Sequence, residues 1–266
     1  MYETNYHRAS SVDDAVASLG SADDGKFLAG GMTLLPTMKQ RLAAPSDLVD
    51  LTHIGDLKSI SVNDNQVRIG AMCTHYEVHS SKDIQKACPA LAELAGWIGD
   101  PAVRHRGTIG GSIANNDPAA DYPAAMMALN AQIVTNQRTI DADDFFTGMF
   151  ETALKEDEVI VAVEFPAPAK AAYEKFRNPA SRYAMAGVFV AKLKNGMVRV
   201  GVTGAGQNGV YRPANMEEAL GGDWSASALD GCDQSAGDML ADIHGTADYR
   251  AHLVKVMAKR AVERAG

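Results

Sequence analysis

The chain has 266 residues, which is enough for one large domain or two modest ones. Hydrophobic residues make up 46% of it, so it can bury a substantial core, and a disordered or collagen-like chain is excluded. The 25 Lys and Arg residues against 33 Asp and Glu give a net charge of −8, which argues against nucleic acid or an anionic membrane as the main partner.

Cysteine usage and hydropathy indicate the compartment. The three cysteines form no C-x-x-C pair, and their odd number fits a reducing compartment better than a disulfide framework. No run approaches the roughly 20 apolar residues that a membrane span needs, and the N-terminus lacks the apolar segment of a signal peptide. We therefore expect a cytoplasmic protein without a membrane span.

The first part of the chain reads as a helix followed by a strand, helix, strand unit. Apolar residues at helical spacing predict a helix over 11–19, and short apolar runs predict strands over 26–29 and 48–51. Between these strands a helix should begin at Thr33, because Pro36 is tolerated only in a first helical turn.

The middle of the chain predicts mixed helices and strands around one glycine-rich loop. The turn residues 63–65 favour a hairpin, and alternating apolar residues favour the later strands. The predicted helices are 75–80, 84–98 and 122–129, and the predicted strands are 59–62, 66–69, 132–135, 138–140 and 159–165.

A Pro/Ala stretch over 166–172 marks the best candidate for a domain boundary. The three segments that follow suit an antiparallel meander, and Asn195-Gly196 supplies a hairpin turn. Helices should close the chain, the last of them near 249–264. The predicted meander strands are 173–177, 183–193 and 197–203.

Three motifs look like nucleotide or metal sites but lack a necessary part. Residues 20–26 satisfy most of a P-loop, but Phe27 stands where the magnesium-binding Ser or Thr belongs. Residues 204–209 read G-x-G-x-x-G without a helix start after them. His75 and His79 would share a helix face, yet no third metal ligand is suggested nearby. We interpret the three as turns and surface histidines.

Two glycine-rich segments carry the strongest signal of a binding site. In the first, residues 29–33, glycines allow close approach of a ligand, and the following helix would direct free N–H groups at an anionic phosphate. The second, residues 107–121, adds glycine N–H groups and Thr and Ser hydroxyls for phosphate, and Asp carboxylates for sugar hydroxyls. An ordinary turn, and helix capping by Asp117 or Asp121, are the alternatives. Together the segments predict a dinucleotide site without Rossmann topology.

The amino-acid sequences of three stretches indicate one family. They read AGGMTLLPTMKQRL over 29–42, DPAVRHRGTIGGS over 100–112 and DPAADYPA over 117–124. With these motifs the chain resembles the FAD-binding medium subunit of molybdenum hydroxylases, the family of aerobic carbon monoxide dehydrogenase and xanthine dehydrogenase. The resemblance extends over essentially the whole chain, including its C-terminal helix.

The resemblance implies an α+β fold. It implies an FAD-binding domain of the vanillyl-alcohol-oxidase (PCMH) type in two subdomains, over 1–56 and 57–170. A small C-terminal domain over 171–266, with a three-stranded antiparallel sheet and helices, would follow.

The resemblance also implies which residues meet FAD. The pyrophosphate would lie between two loops, the ribityl or ribose side would meet one Asn and one Asp, and an isoleucine would lie against the isoalloxazine. Two further residues match positions that approach the flavin or adenine. The residues at the pyrophosphate would be Leu28, Ala29, Gly30, Gly31, Met32, Thr33, Leu34, Thr108, Ile109, Gly110, Gly111 and Ser112. Asn115 and Asp121 would meet the ribityl or ribose side, and Ile98 would lie against the isoalloxazine. The two further residues are Ile160 and Lys175.

The function implied is electron transfer. The flavin would receive electrons from a small iron–sulfur subunit that carries 2Fe-2S clusters and pass them to quinone, NAD or oxygen. Molybdopterin-bound molybdenum would sit on a large third subunit, in a dimer of heterotrimers. The chain itself would then need no catalytic side chain or metal ligand, since the cofactor carries the redox chemistry.

Two other functions stay open at this point. One is a self-sufficient flavin oxidoreductase that acts on a small molecule, with Tyr183 or Lys175 as proton donor. The other is a scaffold subunit that has lost its flavin, against which the intact glycines of the two loops argue.

Overall fold

The N-terminal part of the chain forms a small parallel sheet. A computed structural model describes residues 1–266, and in it the strand order of this first sheet is β1-β3-β2, with parallel pairing throughout. The helix that follows the second strand begins after Thr33, as predicted. The elements are β1 (Asn5–Arg8), α1 (Val12–Gly20), β2 (Gly25–Leu28), α2 (Leu34–Lys39) and β3 (Asp47–Asp50).

The middle of the chain forms a five-stranded antiparallel sheet with most of the helices. Its strand order is β4-β5-β10-β6-β7, and a two-stranded ribbon, β8-β9, lies beside it. The elements are β4 (Ile60–Asn63), β5 (Gln66–Gly70), α3 (His75–Ser80), α4 (Lys82–Ala87), α5 (Pro89–Gly96), α6 (Pro101–Arg104), α7 (Ile109–Asn115), α8 (Asp121–Ala128), β6 (Gln132–Thr135), β7 (Thr139–Asp141), α9 (Ala142–Phe145), β8 (Phe146–Gly148), β9 (Glu151–Thr152) and β10 (Ile160–Pro166).

The C-terminal part contains the predicted three-stranded antiparallel meander, in the order β11-β12-β13. The long last helix packs on β11 and β12, while α8 of the preceding part packs on β12 and β13. The elements are β11 (Lys170–Arg177), β12 (Ala184–Lys192), β13 (Val198–Thr203), α10 (Ala214–Gly222) and α11 (Ala247–Ala265).

Three apolar cores accompany the three sheets. The largest joins 34 buried residues around the middle sheet and takes in Tyr173 and Phe189 of the meander. A second core of 20 residues lies mainly between the meander and α11, and a third of eight lies mainly in the N-terminal part but includes Met72 and Val159. The domain bounds 1–56, 57–170 and 171–266 stay a prediction. None of the helices is both long and apolar enough to cross a membrane.

Two local expectations were wrong, and one strand was missed. The helix expected over 84–98 is two helices, because the backbone turns at Cys88 and Pro89 starts a new first turn. The glycine-rich segment expected as a loop contains α7, whose N-terminus is capped by the Thr108 side chain. The polar strand β1 was missed, since Asn5–Arg8 lacks the alternation of a half-buried strand.

Candidate cofactor site

A cleft of about 570 Å³ lies where the first sheet meets the middle part of the chain. This volume is in the ~300–1,000 Å³ range of small-molecule sites. One wall is the segment from β2 to α2, and the other is formed by residues of α3, α7 and the segment before α8. The predicted residues that line the cleft are Leu28, Ala29, Gly30, Gly31, Met32, Thr33, Leu34, Ile98, Thr108, Gly110, Gly111, Ser112, Asn115, Asp121 and Ile160.

The first wall exposes a run of free backbone donors. None of the six N–H groups from Ala29 to Leu34 has a hydrogen-bond acceptor in the chain. Gly31 has φ +73°, a left-handed conformation that turns the chain between β2 and α2 and that glycine adopts without a side-chain clash. Successive free amides in such a turn form a concavity that binds anions.

The second wall approaches the first closely, and the amides of its glycines are bonded inside the chain. The N–H of Ile109 donates to Cys73 O at 3.0 Å, that of Gly110 to Ala71 O at 2.8 Å, and that of Gly111 to Thr108 Oγ1 at 3.1 Å. The expectation that these glycine amides face a phosphate is therefore wrong for the second segment. Its glycines serve close packing instead.

One glycine of each pair is explained by contact between the walls. A Cβ on Gly30 would overlap the carbonyl oxygen of Arg106, so the two segments touch there through backbone alone. A Cβ on Gly111 would lie 3.3 Å from the Ala29 Cβ, across the cleft. A side chain at either position would therefore fill the space where the walls meet.

Lys175 lies behind the cleft wall and does not line it. Its Nζ donates to Asp121 Oδ1 at 2.9 Å, to Asp121 Oδ2 at 3.0 Å and to Trp97 O at 3.2 Å. An ammonium has three N–H donors, so these contacts use its full capacity. The Tyr173 hydroxyl also donates to Asp121. Lys175 thus orients the carboxylate that faces the cleft. Ile109, the other predicted residue outside the lining, is buried in the main apolar core.

Two more carboxyl groups reach the cleft. Burial alone would raise the pKa of Glu158, but hydrogen bonds from Arg138 and Thr135 outweigh it and lower that pKa to about 2. Asp117 has no cationic partner, and burial raises its pKa. The half-exposed Tyr183 also lines the cleft, and burial together with the nearby Asp117 raises its pKa.

Sequence reasoning missed some of these residues as parts of the site. No sequence pattern marks Glu158 as part of the site, because Arg138 and Thr135 contact it only in the folded chain. His75 was expected at the surface, yet it is 4% exposed and lines the cleft. His79 bonds Ala92 O instead, at 2.8 Å, and no group of three or more potential metal ligands exists in the chain.

The donor set of the cleft fits a flavin dinucleotide. The free amides at 29–34 match the charge of a diphosphate, and the carboxylates of Asp117 and Asp121 can accept from hydroxyls. Leu28, Ile98 and Ile160 supply apolar surface for flat rings. The cleft thus offers anion, hydroxyl and ring contacts in one continuous space.

Comparisons with known proteins identify the family of this chain. The family described as "FAD binding domain in molybdopterin dehydrogenase" matches residues 2–168. The carbon monoxide dehydrogenase medium chain of Hydrogenophaga pseudoflava is 38% identical over 98% of this chain and 96% of its own length. The nicotine 6-hydroxylase medium subunit of Paenarthrobacter nicotinovorans is 35% identical over the same shares.

Solved structures show the same likeness. Reconstituted carbon monoxide dehydrogenase from Oligotropha carboxidovorans superposes with a TM-score of 0.90 at 35% identity, over 99% of this chain and 98% of that one. The enzyme from Hydrogenophaga pseudoflava gives 0.89 at 38% identity, over 99% and 97%. The resemblance and the fold class predicted from the sequence are confirmed, and the chain belongs to the family of FAD-binding domains of molybdopterin dehydrogenases.

Proposed function

We propose that the chain is the FAD-binding medium subunit of a molybdenum-containing hydroxylase or dehydrogenase. The observation that carries the proposal is the run of six free amides at 29–34, which meets a second glycine-rich wall through backbone contact. Such a cradle suits an anionic dinucleotide, because free backbone donors at a turn and at the start of a helix favour a negatively charged ligand. The predicted residues that line the cleft are its proposed FAD contacts.

The chain's own residues bind the cofactor and position it. The amides at 29–34 hold the diphosphate, Asp121 accepts from a hydroxyl, and Lys175 keeps that carboxylate oriented. Apolar side chains such as Ile98 and Val103 exclude water from the ring. FAD, when bound, supplies the transfer of electrons between an electron-donating subunit and an external acceptor.

Partner subunits complete the proposed enzyme. Relatives are named medium chains of carbon monoxide dehydrogenase and of nicotine 6-hydroxylase. By analogy this chain assembles with a small iron–sulfur subunit carrying 2Fe-2S clusters and a large molybdenum subunit, as a dimer of heterotrimers. The three cysteines are free and buried, which supports a reducing, cytoplasmic location. Quinone, NAD and oxygen are the candidate acceptors.

The first test is whether the purified chain holds flavin. We expect a flavin absorbance spectrum and release of FAD on denaturation, and we expect added FAD to raise the melting temperature of the apoprotein. A colourless chain whose melting temperature does not respond to saturating FAD would contradict the proposal and favour a scaffold role.

Two glycine variants, one in the cleft and one outside it, make the test specific to the site. Gly111→Val should abolish FAD binding while the chain stays folded, because the side chain enters the space between the walls near Ala29. Gly221→Val is the matched control, since nothing lies within 4 Å of a Cβ there. Equal flavin content in the two variants would show that the cofactor binds elsewhere.

A further inference from the structure

His75 lies beside Gly107 in the lining of the cleft, next to the cradle formed by the free amides of residues 29–34. A Cβ on Gly30 would lie 2.8 Å from Gly107 Cα, and a Cβ on Gly107 would lie 2.5 Å from His75 Nε2. The cradle therefore touches Gly107, and Gly107 in turn touches the edge of the His75 imidazole ring. The absence of a side chain at Gly107 is what leaves room for the ring.

The backbone and the neighbours of His75 fix its ring. Its N–H donates to Gly107 O at 2.9 Å, and Thr74 before it caps helix α3 through a reciprocal capping box with Glu77. The ring packs against Tyr122 with 5.4 Å between centroids. The imidazole is thus held at the cleft without a hydrogen bond of its own.

Neither ring nitrogen has a partner within the chain. Nδ1 is fully buried and unpaired, and Nε2, on the edge beside Gly107, also makes no hydrogen bond. A buried polar atom without a partner costs about 1–3 kcal/mol, so native chains rarely retain one without use. Because a buried, unpaired N–H is the rarer arrangement, the single proton of the neutral ring belongs on Nε2, at the cleft.

The second wall offers fewer free backbone donors than the first. The amides of Ile109, Gly110 and Gly111 are all bonded inside the chain. A diphosphate lying in the cradle would meet six free amides on one side and, among residues 107–111 on the other side, only the free N–H of Thr108. His75 stands on that other side.

We propose that His75 is a cofactor-binding residue whose Nε2–H donates a hydrogen bond to a diphosphate oxygen of the dinucleotide. The inference rests on the proposed function and extends it to a side chain that the sequence analysis placed at the surface. A neutral imidazole suits this place, because a charged one would lose its hydration inside the wall.

The test compares three variants by FAD affinity, measured by titrating apoprotein and following flavin fluorescence. His75→Phe should weaken FAD binding about 10- to 100-fold, the loss expected for a hydrogen bond to a charged group. His75→Gln keeps an N–H donor and should recover most of the affinity. His79→Phe, one turn further along α3 and outside the cleft, should bind FAD like the wild type.

Competition by ADP, which carries the diphosphate without the flavin, locates the contact. His75→Phe should weaken the competing ADP by the same factor as FAD. Loss of FAD affinity with unchanged ADP competition, or no competition by ADP in the wild type, would overturn the assignment to the diphosphate.

Nitrogen-15 NMR of labelled histidine gives a readout that does not depend on the folding of a variant. Addition of FAD to the wild-type chain should shift the His75 Nε2 resonance and leave those of His79 in place. If the wild-type chain binds FAD but the His75 resonance does not move, this inference is overturned and the proposed function stands. The same holds if His75→Phe binds FAD with full affinity. Failure of the wild type to bind FAD would instead overturn the proposed function.

Discussion

Lys175 and Asp121 form a buried ion pair that joins strand β11 of the meander to the N-terminus of helix α8 at the cleft. The Lys175 side chain is fully buried, and that of Asp121 is 6% exposed. The pair therefore connects the C-terminal sheet to the wall that faces the cofactor. Its two partners come from positions 54 residues apart.

Lys175→Met should strongly destabilise the chain. The variant leaves the Asp121 carboxylate buried without its cation, a loss of about 3–5 kcal/mol in the free energy of unfolding. Urea denaturation measures it, with Lys86→Met as a control at an exposed lysine that forms no ion pair. The double variant Lys175→Met/Asp121→Asn should be more stable than Lys175→Met alone, since no charge is then left unpaired. A double variant no more stable than Lys175→Met would contradict the pairing argument.

Asn116 should matter for the ribbon β8-β9 beside the cleft. It is buried at φ +42°, its Nδ2 donates to Gly148 O and Glu151 O at 2.8 Å each, and its carbonyl accepts from Phe150 N. Asn116→Ala removes both side-chain bonds and places alanine in the left-handed region, which together should cost about 2–4 kcal/mol.

Asn116→Gly separates the two effects. It loses the same hydrogen bonds but tolerates the positive φ, so thermal unfolding should place it between the wild type and Asn116→Ala. Equal stability of the two variants would mean that the backbone conformation contributes nothing.

His75 predicts acid sensitivity of the apoprotein between pH 6.5 and 4. Burial, with a smaller effect of Arg104, lowers the pKa of His75 to about 4, against 6.5 in the unfolded chain. The unfolded chain binds a proton in this interval and the folded chain does not, so stability falls as the pH drops through it, by about 3 kcal/mol in total. In His75→Phe this dependence should be absent, as urea denaturation at several pH values would show. An unchanged pH profile in that variant would contradict the prediction.

Glu158 predicts a second loss of stability at lower pH. Its pKa is about 2 in the folded chain against 4.5 in the unfolded chain, so its stabilisation is complete above pH 4.5 and is lost as the pH falls through 2. Glu158→Gln should flatten the stability profile in that interval and leave the one between pH 6.5 and 4 unchanged. Loss of both dependences in one variant would indicate that the two groups titrate together.

Local sequence patterns predicted most of the helices and strands, and the remaining ones depend on long-range contacts. Pro36 placed the start of α2, and Asn195-Gly196 placed the turn of the meander, because each acts within a few residues. The glycines of α7 hid its helical pattern, although Ile109 and Ile113 are spaced four apart and both face the core. A helix that gains its stability from burial and one cap is poorly visible in propensity alone.

The site could be predicted as two glycine segments but not as a set of side chains. The burial of His75 depends on Gly107 and Tyr122, which lie more than 30 positions away, and the pairing of Glu158 depends on Arg138. Sequence motifs report backbone requirements, such as the turn at Gly31, more directly than they report which distant groups a fold brings together.

The cleft takes its lining from chain positions as far apart as Lys26 and Tyr183. A dinucleotide that touches both walls would act as a non-covalent cross-link between segments that the backbone joins only through long intervening stretches. Limited proteolysis of the loaded chain should therefore leave nicked fragments associated and flavin-coloured, whereas the empty chain should separate at the same cuts. The cofactor would then be a structural member of the subunit as well as its electron carrier.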